Sequence, residues 1–457
     1  MAMITMIKKR DGRQVPFNIE KIANAIFKAA QTVGGKDYSE AMELADRVCQ
    51  QLSEEVIGRD PSVEEVQDMV ERVLVEQGHA KTAKAYILYR ADRTRAREMN
   101  STLMKIYEDL TFMSASDCDI KRENANIDGD TAMGTMLKYG SEGAKQFNEM
   151  YVLDPKHSQA HINGDIHIHD LDFLTLTTTC CQIDLLKLFH GGFSTGHGYL
   201  REPNDISSYA ALACIAIQSN QNDQHGGQSV PIFDYAMAEG VKKTFRRLYT
   251  TNLAKAVSFT LGIEDYTEVL EEFKLIAGDI AKEYGLYPSL QNNDEYKAKE
   301  WEIASAKYGD EFSHLQDRAE KLAESETDRA TYQAMEALIH NLNTMNSRAG
   351  AQNPFSSINY GTDTSPEGRM VIKNVMLAEE HGLGNGETPI FPIHIFKVKE
   401  GVNYNPGDPN YDLFKLAIRV SAKRMFPNFS FIDAPFNLQY YLSLIHISEP
   451  TRRVVIS

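Results

Sequence analysis

Five cysteines stand in the 457 residues, at positions 49, 118, 180, 181 and 214, and two of them are neighbours. A thiol does chemistry when it is accessible and can give up its proton or its hydrogen atom. Cys180 and Cys181 follow residues 174–179, a threonine-rich, β-prone run. The pair is therefore expected at a strand end, with the two thiols on opposite faces. Two readings are open for each, a redox or nucleophilic thiol and a packed core residue. Just upstream, Ile166, Ile168 and Leu171 alternate with His167, His169 and Asp170. That period predicts a strand start with both histidines on one face. Two histidines two apart on a strand can chelate a metal, but no matching third and fourth ligand follows. The expectation is a pair of hydrogen-bonding histidines and no metal site.

A second group of chemical residues is cationic. Lys8, Lys9 and Arg10 precede Asp11-Gly12, and Lys21 follows. Fixed cations at the junction of a hairpin and a helix suit phosphate, and a solvated surface patch is the competing reading. Residues 219–231, SNQNDQHGGQSVP, form a polar segment without the Gly-Lys-Ser/Thr ending of a P-loop. It reads as a nucleotide-contacting loop or as a turn. Residues 242–247, KKTFRR, are a basic spot on a helical pattern, facing either an anion or solvent.

These residues need elements to hold them. Residues 4–17 read as two strands around the Asp11-Gly12 turn, because Asp-Gly supplies the positive φ angles of a tight hairpin. Asn18 is placed to cap a helix carrying Ile19, Ile22, Ala23, Ile26, Phe27 and Ala30 on one face. A second helix carries Leu44, Ala45, Val48, Cys49 and Leu52. Ser62 and Glu65 form a capping box before Val66, Met69, Val70, Val73 and Leu74. A fourth helix starts near Thr82. Residues 96–130 then read as a connector. Residues 250–345 are rich in charged helix formers and predict amphipathic helices packed outside a core. SSINYGTD and TPIFPIHIFKV read as strands, with Pro389 and Pro392 marking an edge or a strand start.

Composition narrows the class. Net charge is −16, which disfavours nucleic acid as a partner. No apolar run approaches the ~20 residues of a membrane span, and the first residues lack a secretory signal. A cytoplasmic, membrane-free protein is expected. Five cysteines are too few for a disulfide scaffold at this length.

The motifs also resemble known families. KKRDGRQVPFNIEKI and HAKTAKAYILYR resemble the opening and the closing helix of the ATP-cone, a regulatory nucleotide-binding domain. This resemblance implies ATP or dATP as allosteric effectors, with phosphates on Lys9, Arg10 and Lys21 and, further along, Arg90. HIHDLDFLTLTTTCCQIDL, ALACIAIQSNQNDQHGGQSVPIFDYAMAEGV and HNLNTMNSRAGAQNPFSSINYGTD resemble the anaerobic, class III ribonucleoside-triphosphate reductases. The fold class implied is α/β: an α-rich ATP-cone over residues 1–95, then a partial ten-stranded α/β barrel over 96–442, of the ribonucleotide reductase and glycyl-radical type. The activity implied is reduction of ribonucleoside triphosphates to deoxyribonucleoside triphosphates. The partners implied are those substrates, a radical-SAM activase and a second copy in a homodimer. Cys180 fits the barrel-strand cysteine four positions before Asp184, which faces the ribose, and Cys181 takes the other face. His167 and His169 match the HIHD segment near the pocket. Residues 225–229 and 347–352 resemble segments that border substrate and effector.

The family continues past residue 442 with a radical-bearing cysteine loop, a structural zinc site and a glycyl-radical loop. Residues 443–457, SLIHISEPTRRVVIS, fit none of these and read as a non-native tail. The expectation is a chain that binds nucleotides and does not turn over substrate alone. Two other readings compete. A pyruvate formate-lyase-like glycyl-radical enzyme carries its Cys-Cys pair on a later loop without an ATP-cone in front. An ATP-cone transcriptional regulator predicts paired CxxC motifs, which are absent from this sequence.

Overall fold

The computed structural model describes residues 4–9, 13–113, 129–174, 180–309, 311–348 and 351–438. The chain divides into two compact units, Met1–Phe112 with Glu142–Asp172 and Met113–Ser141 with Phe173–Ser457.

In the first unit, strands β1 (Met6–Lys8) and β2 (Gln14–Pro16) pair antiparallel with Ile7 opposite Val15. Arg10 and the expected Asp11-Gly12 turn lie outside the described residues. Asn18 starts helix α1 (Ile19–Thr32), its side-chain oxygen accepting the Glu20 N–H at 2.8 Å. This satisfies one of the N–H groups that a helix start leaves unpaired. Asp37 does the same for α2 (Tyr38–Glu55). At α3 (Val63–Glu76) the capping box is complete: Ser62 Oγ accepts the Glu65 N–H at 3.2 Å and Glu65 accepts the Ser62 N–H at 2.8 Å. Ala23, Ile26, Val48, Leu52, Val70 and Val73 from the three helices share one buried cluster. Burying each of the larger aliphatic chains stabilises by roughly 1.5–3 kcal/mol.

Helix α4 (Ala80–Phe112) departs from expectation. The stretch from residue 96, expected as a connector, stays helical to Phe112. Residues 91–112 contain no Gly or Pro and are rich in Arg, Glu, Met and Leu, so nothing local stops the helix. Helix α5 (Ala132–Phe147) runs into a π-helical turn (Asn148–Val152), and α6 (Pro155–Ile162) follows.

The strand expected at His167 and His169 does not form. After α6 the chain turns at Gly164 (φ 81°), and Asp170 takes a left-handed conformation (φ 53°) before a 3₁₀ turn at Leu171–Phe173. Left-handed backbone interrupts extended geometry whatever the side-chain alternation. Most of the β-prone run at 174–179 lies outside the described residues.

The second unit is built on a parallel sheet. Its strands are β3 (Cys181–Gln182), β6 (Gln228–Val230), β7 (Ser356–Tyr360), β8 (Ile393–Val398) and β9 (Asn428–Phe431), in that spatial order. Every neighbouring pair is parallel. A parallel pair needs a crossover, and helices supply it. Helix α7 (Leu185–Phe189), a small hairpin of β4 (Phe193–Ser194) and β5 (Tyr199–Leu200), and helix α8 (Ile206–Asp223) separate β3 from β6. Four helices separate β6 from β7: α9 (Phe233–Leu261), α10 (Thr267–Tyr284), α11 (Asp294–Tyr308) and α12 (Phe312–Thr344). Helix α13 (Pro366–His381) precedes β8, and α14 (Tyr411–Arg424) precedes β9.

Val230, Ile358, Tyr360 and Phe396 pack with Ile217, Leu338 and Val375 from α8, α12 and α13 in the main core. Pro392 precedes β8, which lies between β7 and β9, so the prolines mark a strand start and not an edge. Among the described residues no helix is long and apolar enough to cross a membrane.

Candidate active site

Strand β3 is short and lies at one edge of the sheet. It is held by Cys181 N–H to Gly227 O at 3.2 Å and Ile183 N–H to Ser229 O at 2.7 Å. Exposure alternates across it: Cys180 and Gln182 are exposed and Cys181 is half-buried. Gln182, Ser229 and Ser357 form one row across three strands, polar at each position. Alternation puts Cys180 on the side of that row. Cys181 turns the other way, towards α8, where Asn220 Nδ2 lies 3.0 Å from its sulfur. The same nitrogen lies 2.8 Å from Gln228 Oε1.

The thiols differ in chemistry as well as direction. Burial pushes Cys181 up, against the Asn220 bond that favours its thiolate. Burial raises Cys214 to about 12 and Cys49 to about 11. Of the four cysteines among the described residues, Cys180 is the exposed one.

The segments leading into β6 and β7 meet at the same end of the sheet as Cys180, since parallel strands share their N-terminal end. Gln228 N–H donates to Phe355 O at 3.0 Å. Arg348 donates from Nε to Gln352 Oε1 at 2.5 Å and from one terminal nitrogen to the carbonyls of Gln221 and Gln224, both at 3.1 Å. Those carbonyls belong to the C-terminal end of α8, where a guanidinium complements the helix dipole. Ser347 Oγ bonds Gln221 Oε1, and Gln221 Nε2 donates to Asn353 O at 3.0 Å. His225 stacks on Phe173 with ring centres 4.1 Å apart. Thus Ser347 and Arg348 lie beside Gln221 and Gln224, immediately before residues 225–229.

His167 and His169 fall in the first unit and Cys180 in the second. Both histidines are exposed, with ring centres 5.9 Å apart. His167 also lies 5.7 Å from the His161 ring, whose Nδ1 accepts the Ile168 N–H at 3.2 Å. His169 Nε2 lies 3.3 Å from Asp170. Among the described residues no group of three or more His, Cys, Asp or Glu side chains is arranged to hold a metal.

The cationic group is partly open and partly committed. Lys9, just past β1, and Lys21, in the first turn of α1, are exposed. Arg90 on α4 instead meets three carboxylates of α3, Glu64 at 2.9 Å, Asp68 at 2.5 Å and Glu71 at 2.8 Å. Burial opposes its charge, and these three bonds more than offset that, raising its pKa. The basic spot on α9 is similarly occupied: Lys242 pairs with Glu239, Lys243 with Glu202 and Arg247 with Asp205, while Arg246 lies over Tyr287.

Buried ionisable groups of the second unit were not legible in the sequence. Asp234, at the start of α9, is fully buried, and its Oδ2 accepts the N–H groups of Gly361, Thr362 and Asp363 at 2.9, 3.0 and 3.1 Å. Burial raises its pKa, with Lys397 and these amides opposing. Lys397 is buried, donates to Pro231 O and falls to about 8. Tyr360 Oη and His394 Nδ1 are 2.9 Å apart, and His394 Nε2 is 3.6 Å from Glu379 Oε2. Burial takes His394 down to about 3 and Glu379 up to about 8. Asp234 and the amides it binds are about 127 residues apart in the chain, so no local pattern announces them.

The family model for anaerobic ribonucleoside-triphosphate reductase matches residues 123–447, and that for the ATP cone domain matches residues 5–95. The anaerobic ribonucleoside-triphosphate reductase of Salmonella typhimurium is 28% identical over 429 residues, 93% of this chain and 51% of that protein. The enzyme of the same name from Enterobacteria phage T4 is 28% identical over 320 residues, 68% of this chain and 42% of that protein. A crystal structure of the anaerobic ribonucleotide reductase from Thermotoga maritima in complex with dATP and CTP aligns over 76% of this chain and 50% of that one, at 12% identity and a TM-score of 0.43. The chain spans about half the length of the Salmonella relative. With a match covering most of its length, and with an ATP cone domain in front, the chain belongs to the anaerobic ribonucleoside-triphosphate reductase family.

Proposed function

We propose that the protein works in the reduction of ribonucleoside triphosphates to deoxyribonucleoside triphosphates, with Cys180 as a thiol that faces the ribose. The observation that carries this is the split of the vicinal pair. Cys180 is exposed beside a polar row at the end of a parallel sheet, and Cys181 is turned away. Removing a 2′-hydroxyl needs hydrogen abstraction at C3′, an acid for the departing water and a reducing thiol. Cysteine supports both hydrogen-atom and electron chemistry, and a role for His167 and His169 rests on their likeness to the HIHD segment of the family. A glycyl radical, installed by a radical-SAM activase, supplies the odd electron when present. Five parallel strands in chain order support a reading as one half of a ten-stranded barrel, which would keep water from the radical.

The N-terminal unit takes ATP or dATP as effector in this proposal. Lys9, Arg10 and Lys21 meet the phosphates, and Arg90 is available only by releasing a carboxylate. The working form is a homodimer. The test is anaerobic assay of an activated, full-length reductase containing this chain, with and without Cys180→Ser. Deoxynucleotide formation is expected to vanish while ATP binding, read by calorimetry, is unchanged. Retained product formation in the variant overturns the proposal.

A further inference from the structure

The turn after α6 lays the backbone of the histidine segment against a third histidine. The N–H groups of Asp165 and Ile166 both donate to Ala160 O, at 2.9 and 3.3 Å, so the chain folds back over the end of α6. Ile168 N–H then donates to His161 Nδ1 at 3.2 Å. Ile168 lies between His167 and His169, so this bond sets the path of the backbone that carries both rings. A neutral imidazole has one acceptor nitrogen and an imidazolium has none. The bond therefore requires a neutral His161 with its proton on Nε2.

We infer that His161 is a proton-operated latch: neutral, it holds Ile168 and fixes the two flanking histidines, and on taking up a proton it releases them. Opposing influences meet at this ring. The Ile168 bond favours the neutral form. The last turn of α6, where His161 sits, favours a cation through the helix dipole. Glu149 of the π-helical turn does so too: burial raises its carboxyl, and the nearby His161 is the first influence that opposes this. The same carboxyl feels Glu142 and Lys145 of α5, which pair at 2.9 Å, and Arg95 of α4, which bonds Ser158 Oγ at 2.5 Å. On the side of the segment, the His167 ring centre lies 5.7 Å from that of His161, with His169 and Asp170 beyond. Positive charge on both His161 and His167 would push the segment away. Imidazole is the side chain whose charge ordinarily changes between about pH 5 and 8, so the latch is closed at the upper end of that range and opens towards the lower. All of these groups belong to the first unit, and the inference is independent of the role of Cys180.

The test is hydrogen–deuterium exchange of the whole chain at pH 7.5 and pH 5.0. Rates are corrected for the intrinsic pH dependence of exchange, and the Ile168 amide is resolved by electron-transfer fragmentation. Protection of that amide is expected to fall about tenfold at the lower pH, while the Ser158 amide, bonded to Asp154 O within α6, keeps its protection. His161→Asn puts an amide oxygen in the place of Nδ1 and takes up no proton, whereas His161→Leu offers no acceptor. Protection is expected to be high at both pH values in the first and low at both in the second, so the fall disappears from each. The two variants are read independently, so one that fails to fold by circular dichroism leaves the other. A wild-type amide equally protected at both pH values overturns the inference. So does full protection in His161→Leu at pH 7.5. A fall of more than about threefold in either variant overturns it as well, because another group would then be taking up the proton. Loss of the Ser158 amide together with that of Ile168 would mean that acid unfolds the unit as a whole, and that too overturns the latch.

Discussion

Lys9 and Lys21 of the N-terminal unit stand in water, whereas Asp234, Glu379, His394 and Lys397 of the sheet unit are shut inside. The first arrangement costs little, because exposed ammonium groups stay hydrated and are free to meet a ligand. The second carries a large desolvation penalty that only well-placed partners offset. Asp234 has three backbone donors, while Glu379 has one long contact with His394. The first unit leaves these two cations open to solvent. The other uses its buried ionisable groups as internal ties whose removal is felt throughout the fold.

The sharpest way to break this contrast is to remove a tie. Asp234→Ala leaves the Gly361, Thr362 and Asp363 amides unpaired and Lys397 without its counter-charge. A loss of about 3–5 kcal/mol is expected in denaturant unfolding of the sheet unit. A loss under about 1 kcal/mol would mean that the buried carboxylate is not a tie.

Next in size is a pH effect. Glu379 rises to about 8 from an ordinary 4.5, so the folded state keeps a proton that the unfolded chain releases. Its stabilising contribution is complete below about 4.5 and drains away as pH rises through 8. His394 falls to about 3 from 6.5, so its contribution is present above 6.5 and lost as pH falls. Glu379→Gln should flatten the alkaline limb of a stability–pH curve and leave the acid limb. Thermal melts from pH 4 to pH 9 check this, and an unchanged alkaline slope counts against the assignment.

The exposed cations should behave in the opposite manner. Lys9→Ala and Lys21→Ala are each expected to weaken ATP or dATP binding about tenfold, or ~1.4 kcal/mol, with melting unaltered. Calorimetry that finds full affinity in the double variant would reassign the binding surface. The smallest effect belongs to the capping box. Ser62→Ala is expected to cost about 1 kcal/mol in the N-terminal unit alone. A matching shift in the sheet unit would show that the two units do not melt independently.

Legibility followed the range of the interactions. Caps at Asn18 and Ser62, the amphipathic faces of α1 to α3, and strands β7 and β8 rest on neighbours a few positions away, and their patterns are readable. His167 and His169 misled because alternation is a weak signal when Gly164 and Asp170 take positive φ on either side. The continuation of α4 to Phe112 was hidden by polar composition, which does not stop a helix. Cys180 was legible as a candidate, but the side-chain partner of its neighbour Cys181 was not. Asn220 is 39 residues from Cys181, and only the fold brings the two together.

The sheet's strand order has a consequence for biosynthesis. Because β3, β6, β7, β8 and β9 are neighbours in the order in which they are translated, each strand emerging from the ribosome finds its docking edge already made. Among the described strands of this sheet, none is inserted between two earlier ones. The longest pause falls between Val230 and Ser356, while α9 to α12 are being synthesised. During that interval the free edge of β6 is the surface most in need of protection. A ribosome stalled in this window should present the chain at its most vulnerable to chaperones and proteases.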